Sequence, residues 1–202
     1  MQHIVFNQKS ITPSKVVCIG RNYVAHIEEL GNEVPEQMVI FNKPNSAISQ
    51  TLHYLAPTTR FEGELCLLVE NKKIAGIGLG LDLTHAQLQN SLKQKGLPWE
   101  RAKAFDASAV MSTFIAFDGT WQDLRFELYH NHTLVQYADY SLMMYKPHEI
   151  VREIQRFMTL EDYDIIMTGT PKGVGTFQKG DLFEMKLFEK ELPLLTSIWK
   201  AK

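Results

Sequence analysis

Glu62, Glu64 and Asp82 have the clearest potential for chemistry in this chain. Glu62 and Glu64 stand two apart at the entry to an apolar run, and side chains at i and i+2 share one face of a strand. Two carboxylates so placed repel unless a cation or a proton lies between them. Asp82 follows a segment with glycine at 76, 78 and 80, where backbone can approach closely. Three carboxylates without a cysteine suit a hard cation such as Mg2+ or Mn2+. Three protein ligands leave positions for water and substrate, as catalysis requires. The same spacing also suits a solvated strand edge followed by a turn, so position alone leaves both readings open.

A second pair lies earlier. His26 and Glu29 are three apart in a segment read as helical, where i and i+3 are neighbours, whereas Glu28 points elsewhere. A carboxylate beside an imidazole can orient it, charge-stabilise it, or share the removal of a proton from water. Such contacts are also common on helix surfaces for structural reasons alone. Arg21, Lys43, Lys103 and Lys172 are candidate anion contacts, although each type is usually a solvated surface charge. Lys103 stands apart because Ala102, Ala104 and Phe105 flank it, and an ammonium in apolar surroundings needs a partner or a task.

The run from Thr168 to Gly175, TGTPKGVG, follows an apolar strand and reads as a tight loop whose backbone amides could bind a carboxylate. It lacks the GxxxxGK[ST] order of a phosphate loop. Glycines 76, 78 and 80 likewise fail the GxGxxG dinucleotide fingerprint, and no helix opens there.

These residues need elements to position them. Val16–Ile19 reads as a strand, and Asn22 as the cap of a helix running to about Leu30 and ended by Gly31. Met38–Asn42 is a short strand closed by Lys43-Pro44; Asn45–Arg60 reads as loop and edge structure. Glu64–Glu70 is the strongest strand. Thr84–Lys95 looks helical, with Thr84 and Gln87 at capping-box spacing and Gly96 as its stop. Gly96–Ser112 reads as loop. Phe126–His130 and Thr133–Tyr137 flank Asn131-His132 as a hairpin. Pro147 opens a helix to about Met158, with Ile150, Ile154, Phe157 and Met158 on its apolar period. Ile165–Met167 and Leu182–Phe188 are further strands. Many short strands with three helices predict a β-rich α+β fold, in one domain over residues 1–202.

Composition narrows the class of function. The 202 residues are 45% hydrophobic and 22% charged with a net charge of -2, enough for a core and without the basic surface nucleic acid requires. The two cysteines, Cys18 and Cys66, sit in apolar runs and read as reduced buried thiols of a cytoplasmic protein. The N-terminal residues lack the apolar core of a signal peptide, and no run approaches the ~20 apolar residues of a membrane helix.

Six strings together resemble the fumarylacetoacetate hydrolase superfamily, in its short acylpyruvase and oxaloacetate decarboxylase-like branch. They are IGRNYVAHIEE, the Phe41-Asn42-Lys43-Pro44 turn, FEGEL, LDLT, GLPWERAKAFD and TGTPKGVG, in an order that spans about Lys15 to Phe188. The resemblance implies a mixed-sheet β-roll, usually a homodimer. It implies that Glu62, Glu64 and Asp82 hold Mg2+ or Mn2+, and that His26 and Glu29 form a water-activating dyad beneath a short lid helix. Lys103 matches a lysine on the substrate oxygens, Gln89 a glutamine beside the metal, and Thr170 a substrate carboxylate contact. Arg21 and Lys43 sit in matching motifs with less defined substrate-binding roles. One departure is Ala86, where relatives often carry arginine two positions after the threonine of LDLT.

The implied substrate is a small 2-oxo or β-diketo carboxylic acid, and the implied activity is hydrolysis of a carbon–carbon bond in an acylpyruvate through an enolate. Oxaloacetate decarboxylation or tautomerisation, and isomerisation of a hydroxymuconate-type diene, pass through the same enolate and are the alternatives. A non-catalytic binding protein on this fold is a remoter one.

Overall fold

The computed structural model describes residues 1–31 and 34–202. A large mixed sheet runs in the order Val39–Pro44, Lys15–Gly20, Ile165–Met167, Gly63–Glu70, Lys73–Asp82, Ala109–Met111 and Ile48–Ser49, with Ile115–Ala116 also paired to Lys73–Asp82. Both faces are covered, which explains the continuous apolar runs. Val17, Ile19, Leu65, Leu67 and Val69 face one apolar cluster, while Val16, Cys18, Cys66 and Leu68 face another. Both cysteines are free and buried, as their apolar runs implied. A second sheet, ordered Thr133–Asp139, Leu124–His130, Leu182–Glu189 and Leu192–Lys200, is antiparallel and buries alternate residues of its inner strands. The β-rich expectation is met, and the large sheet curls into an open half-barrel.

The glycines at 76, 78 and 80 make no loop. They lie within the ten-residue strand Lys73–Asp82, where a Cβ at Gly78 would stand 2.9 Å from the Phe114 ring. The Asn131-His132 hairpin forms with both residues at positive φ, 48° and 67°, so a primed turn is made here without glycine.

Local expectations differ from the structure in five places. Asn22 does not cap the helix Val24–Glu29, whose N-cap is Tyr23 with no side-chain cap bond. Its amide instead donates to the carbonyls of Thr168 (2.8 Å) and Tyr145 (3.0 Å), because it is fully buried between those segments. The next helix begins at Ala86, since Thr84–His85 pairs as a short strand with Thr59–Arg60. The stretch read as loop after Gly96 contains the helix Glu100–Lys103 and the strand Ala109–Met111, and Asn45–Ala47 is a 3-10 turn. The helix opened by Pro147 ends at Ile154, so Phe157 falls beyond it and is 62% exposed. The N-terminal hairpin Ile4–Phe6/Lys9–Ile11 and the strand Leu192–Lys200 carried no strong periodic signal.

Candidate active site

The hairpin of Gly63–Glu70 with Lys73–Asp82 brings the three carboxylates together. Its register sets Gly63 opposite Leu81 and Glu64 opposite Gly80, and the Asp82 N–H donates to the Glu62 carbonyl at 2.8 Å. Glu62 and Asp82 are thus cross-strand neighbours, and Glu64 lies on the same face, two residues along, opposite Gly80. One oxygen from each of the three lies within 4.8 Å of the others, and all three residues are buried.

Cations surround this cluster. The Lys103 ammonium donates to Glu62 Oε2 at 2.9 Å and to Asp82 Oδ2 at 2.6 Å. Arg60 gives two hydrogen bonds to Glu62 Oε1, at 3.0 and 2.7 Å, and the Thr84 hydroxyl a third at 3.0 Å. Lys43, fully buried, has its Nζ 2.8 Å from Asp82 Oδ1, yet its hydrogen bonds go to the Lys103 and Ser108 carbonyls and the Ser108 hydroxyl. Asp82 Oδ1 is therefore buried beside a charge without receiving an aligned hydrogen bond. Glu64 has no cation partner among the described residues; its Oε2 accepts the Gly169 N–H at 2.7 Å.

The electrostatics follow from these contacts. Burial pushes the Glu64 carboxyl well above the usual range, and the Asp82 and Glu62 charges push it further. Burial acts the same way on Glu62, but Lys103 and Arg60 outweigh it and hold that carboxyl below its ordinary value. Burial lowers Lys103, and Asp82 and Glu62 more than reverse the effect, so it stays charged. Three buried carboxylates, one with its charge uncompensated and one with an unbonded oxygen, form a donor set that fits a hard divalent cation. Four-coordinate zinc with thiolates does not fit, because both cysteines are free and absent from the cluster.

The trio lines a cleft together with Arg21, His26, Arg60, Gln89, Lys93, Trp99, Lys103 and Thr170. His26 Nδ1 lies 3.2 Å from Glu29 Oε2, so the predicted pair forms. Burial lowers the His26 pKa below its ordinary value, while Glu62 and Glu29 oppose that shift. Glu29 also accepts the Gly173 N–H, at 3.0 and 3.2 Å. The glycine-rich loop thus does bind carboxylates with its amides, but they are the protein's own: Glu64 at Gly169 and Glu29 at Gly173.

The other expected residues fall as follows. Gln89 is buried in the cleft, with Arg60 Nη2 3.4 Å from its Oε1. Arg21 lines the cleft wall with φ of 58°. The Thr170 hydroxyl donates to the Gly63 carbonyl (2.9 Å) and accepts from Gln136 (2.8 Å), so it braces the loop against the strand of the trio. Lys43 braces Asp82 from below the cleft rather than lining it. Lys172 is exposed and lines a different depression. Sequence reasoning missed Arg60, Thr84, Lys93 and Trp99. Arg60 could have been found as the residue two before Glu62, and Lys93 as i+4 from Gln89 on one helix face.

Comparison with known proteins now places the chain. The family profile described as Fumarylacetoacetate (FAA) hydrolase C-terminal matches residues 15–197, and the chain belongs to this family. It is 39% identical over 187 residues to the oxaloacetate tautomerase YcgM of Escherichia coli strain K12, covering 83% of this chain and 85% of that protein. It is 35% identical over 225 aligned residues to the mitochondrial oxaloacetate tautomerase FMP41 of Saccharomyces cerevisiae, covering 87% of each. The crystal structure of a fumarylpyruvate hydrolase from Pseudomonas aeruginosa, in complex with Mn2+ and pyruvate, superposes with a TM-score of 0.88 at 25% identity, covering 100% of this chain and 96% of that one. Among the described residues no helix is long and apolar enough to cross a membrane.

Proposed function

We propose that this chain is a divalent-metal-dependent enzyme that interconverts the keto and enol forms of oxaloacetate or a close 2-oxo acid. The observation that carries the reading is the buried trio Glu62, Glu64 and Asp82 with the Lys103 ammonium against it and the His26–Glu29 pair at the same cleft. The names of the Escherichia coli and yeast relatives support the choice of reaction. The trio would hold Mg2+ or Mn2+; when bound, the ion supplies Lewis-acid polarisation of the 2-oxo group.

The remaining work falls to this chain's own side chains. With Nδ1–H given to Glu29, His26 offers Nε2 as the proton acceptor, and its lowered pKa keeps it neutral at pH 7. Nε2 takes a proton from C3 and returns it to the enol oxygen. Lys103 has a third ammonium proton beyond those it gives Glu62 and Asp82, and its charge stabilises the developing enolate. Gln89, Arg21 and Thr170 border the space for the substrate carboxylate, and Lys43 holds Asp82 in place. A single catalytic domain, a homodimeric assembly and a cytoplasmic location belong to the same proposal.

Hydrolysis of an acylpyruvate, the reading the sequence put first, passes through the same enolate. It stands second on one observation: the His26–Glu29 hydrogen bond is also the arrangement that would activate water. Assays on enol oxaloacetate, an acylpyruvate panel and a hydroxymuconate-type diene, each with Mg2+ or Mn2+, separate the reactions. Ketonisation should accelerate, stop with chelator, and release no carbon dioxide. Absence of acceleration with either ion would reject the tautomerase reading. Replacing His26 by Ala should reduce tautomerisation by about 10²–10⁴-fold, because Nε2 moves the C3 proton, and hydrolysis, where present, by a comparable factor, because the same nitrogen would activate water.

A further inference from the structure

Two lysines stand at opposite ends of an aromatic wall of the cleft. Lys103 Nζ lies 5.2 Å from the centre of the Phe41 ring, Phe41 meets Trp99 edge-on at 5.9 Å, and Lys93 Nζ lies 5.1 Å from the centre of Trp99. Lys103 is buried against the carboxylate trio. Lys93 is half-buried and, unlike Lys103 and Arg60, forms no ion pair with a carboxylate among the described residues. It reaches the cleft because it follows Gln89 by one helical turn on the helix Ala86–Gln94, and both side chains line the same space.

Positive charge outnumbers negative at this end. Arg21 and Arg60 line the same cleft, and after burial they, with Lys103, pull the Lys93 pKa down to about 8 against the opposing charge of Glu62. An ammonium with a surplus of like charges around it, resting on an aromatic face and in no ion pair among the described residues, has an open place for an anion. The inner end of the cleft, by contrast, already has three carboxylates. A ligand that matches both ends has its 2-oxo acid group at the trio and a second negative group at Lys93.

We propose that Lys93 receives the distal carboxylate of a 2-oxo dicarboxylic acid and thereby selects diacids over monoacids. This rests on the reading above that a 2-oxo acid sits at the trio, and it adds the residue that chooses among such acids. Lys93 would be a binding and specificity residue and would take no part in proton transfer.

The test compares binding of oxaloacetate with that of 2-oxobutanoate, in which a methyl replaces the distal carboxylate, to the Mn2+-loaded protein by calorimetry. The wild type should bind the diacid at least about tenfold more tightly, the advantage expected of one charge-assisted hydrogen bond. Lys93→Met should remove that preference while leaving 2-oxobutanoate binding and the melting temperature within error, and Lys93→Arg should retain it. Equal binding of the two acids by the wild type, or a preference that survives in Lys93→Met, would overturn the inference. A diacid preference lost in Lys93→Met, in a protein that does not speed ketonisation, would support Lys93 and reject the tautomerase reading.

Discussion

The two polar clusters of the cleft stand on very different supports. The carboxylate trio is built on the ends of two long paired strands whose other residues are almost all buried. The His26–Glu29 pair rides on a six-residue helix without a side-chain cap, and isolated helices of that length do not persist alone. What fixes that helix comes from outside it: Asn22 bound to Thr168 and Tyr145, the Met144 N–H on the Asn22 carbonyl, and Glu29 on the Gly173 amide. The part that would hold metal is therefore rigid by strand pairing. The part that would move a proton is positioned by a few contacts to two loops, around Met144–Tyr145 and Thr168–Gly173. Damage to the first should abolish metal binding, and damage to the second should slow turnover with metal still bound.

The sharpest break in this contrast lies within the trio. Asp82 pairs with two buried lysines, so Asp82→Asn leaves Lys43 and Lys103 short of countercharge and should destabilise the chain by about 3 kcal/mol or more. Glu64 has only a backbone partner, so Glu64→Gln relieves repulsion and should leave the metal-free chain at least as stable as wild type. Both variants should lose the rise in melting temperature that Mn2+ gives the wild type. Thermal unfolding with Mn2+ and with chelator measures both effects. An undiminished Mn2+ response in Glu64→Gln would remove Glu64 from the metal site.

The loop contact gives a smaller effect. Glu29→Gln weakens the hold on both the imidazole and Gly173, and should lower kcat about tenfold, the worth of one hydrogen bond of roughly 1.4 kcal/mol. Gly173→Ala should do more harm. Its backbone has φ of 98°, and a Cβ there would lie 1.9 Å from the Val135 carbonyl oxygen, so the loop must shift. In both variants Mn2+ affinity should stay within about twofold of wild type, given that tenfold is 1.4 kcal/mol. A parallel loss of metal binding and turnover would show that the two clusters are not independent supports.

The rigid half was the more legible in sequence. Glu62 and Glu64 show i, i+2 spacing at the entry to a Leu- and Val-rich run that reads as a strand. Asp82 became a partner through antiparallel register, which spacing does not specify. Arg60 and Thr84 were hidden for the same reason: they meet Glu62 through pairing of strands of three and two residues, too short to show a period. Asn22 misled because its type favours helix caps, while burial between two loops decided its actual partners. Lys103 was read correctly as a lysine in need of partners, but its helix of four residues lay in a stretch with no helical pattern.

The smallest effects are in pH, and they sharpen the difference between the proton-moving residue and the substrate-selecting one. His26 has its pKa lowered by burial, so the neutral form needed to accept a proton persists below pH 6.5. The acid limb of kcat/KM should therefore fall below that value for diacid and monoacid alike, since kcat/KM reports the free enzyme. Lys93 sits near 8 because of burial and of Arg21 and Arg60, with Glu62 opposing and Lys103 reinforcing the shift. Its positive charge is present below that pH and lost above it. Between pH 7 and 9 kcat/KM for a diacid should decline by less than about tenfold, bounded by the single charge-assisted contact, while that for a monoacid of the same length stays level. If both substrates decline together above pH 8, the group responsible belongs to the common chemistry at the trio, and Lys93 has no part in telling the acids apart.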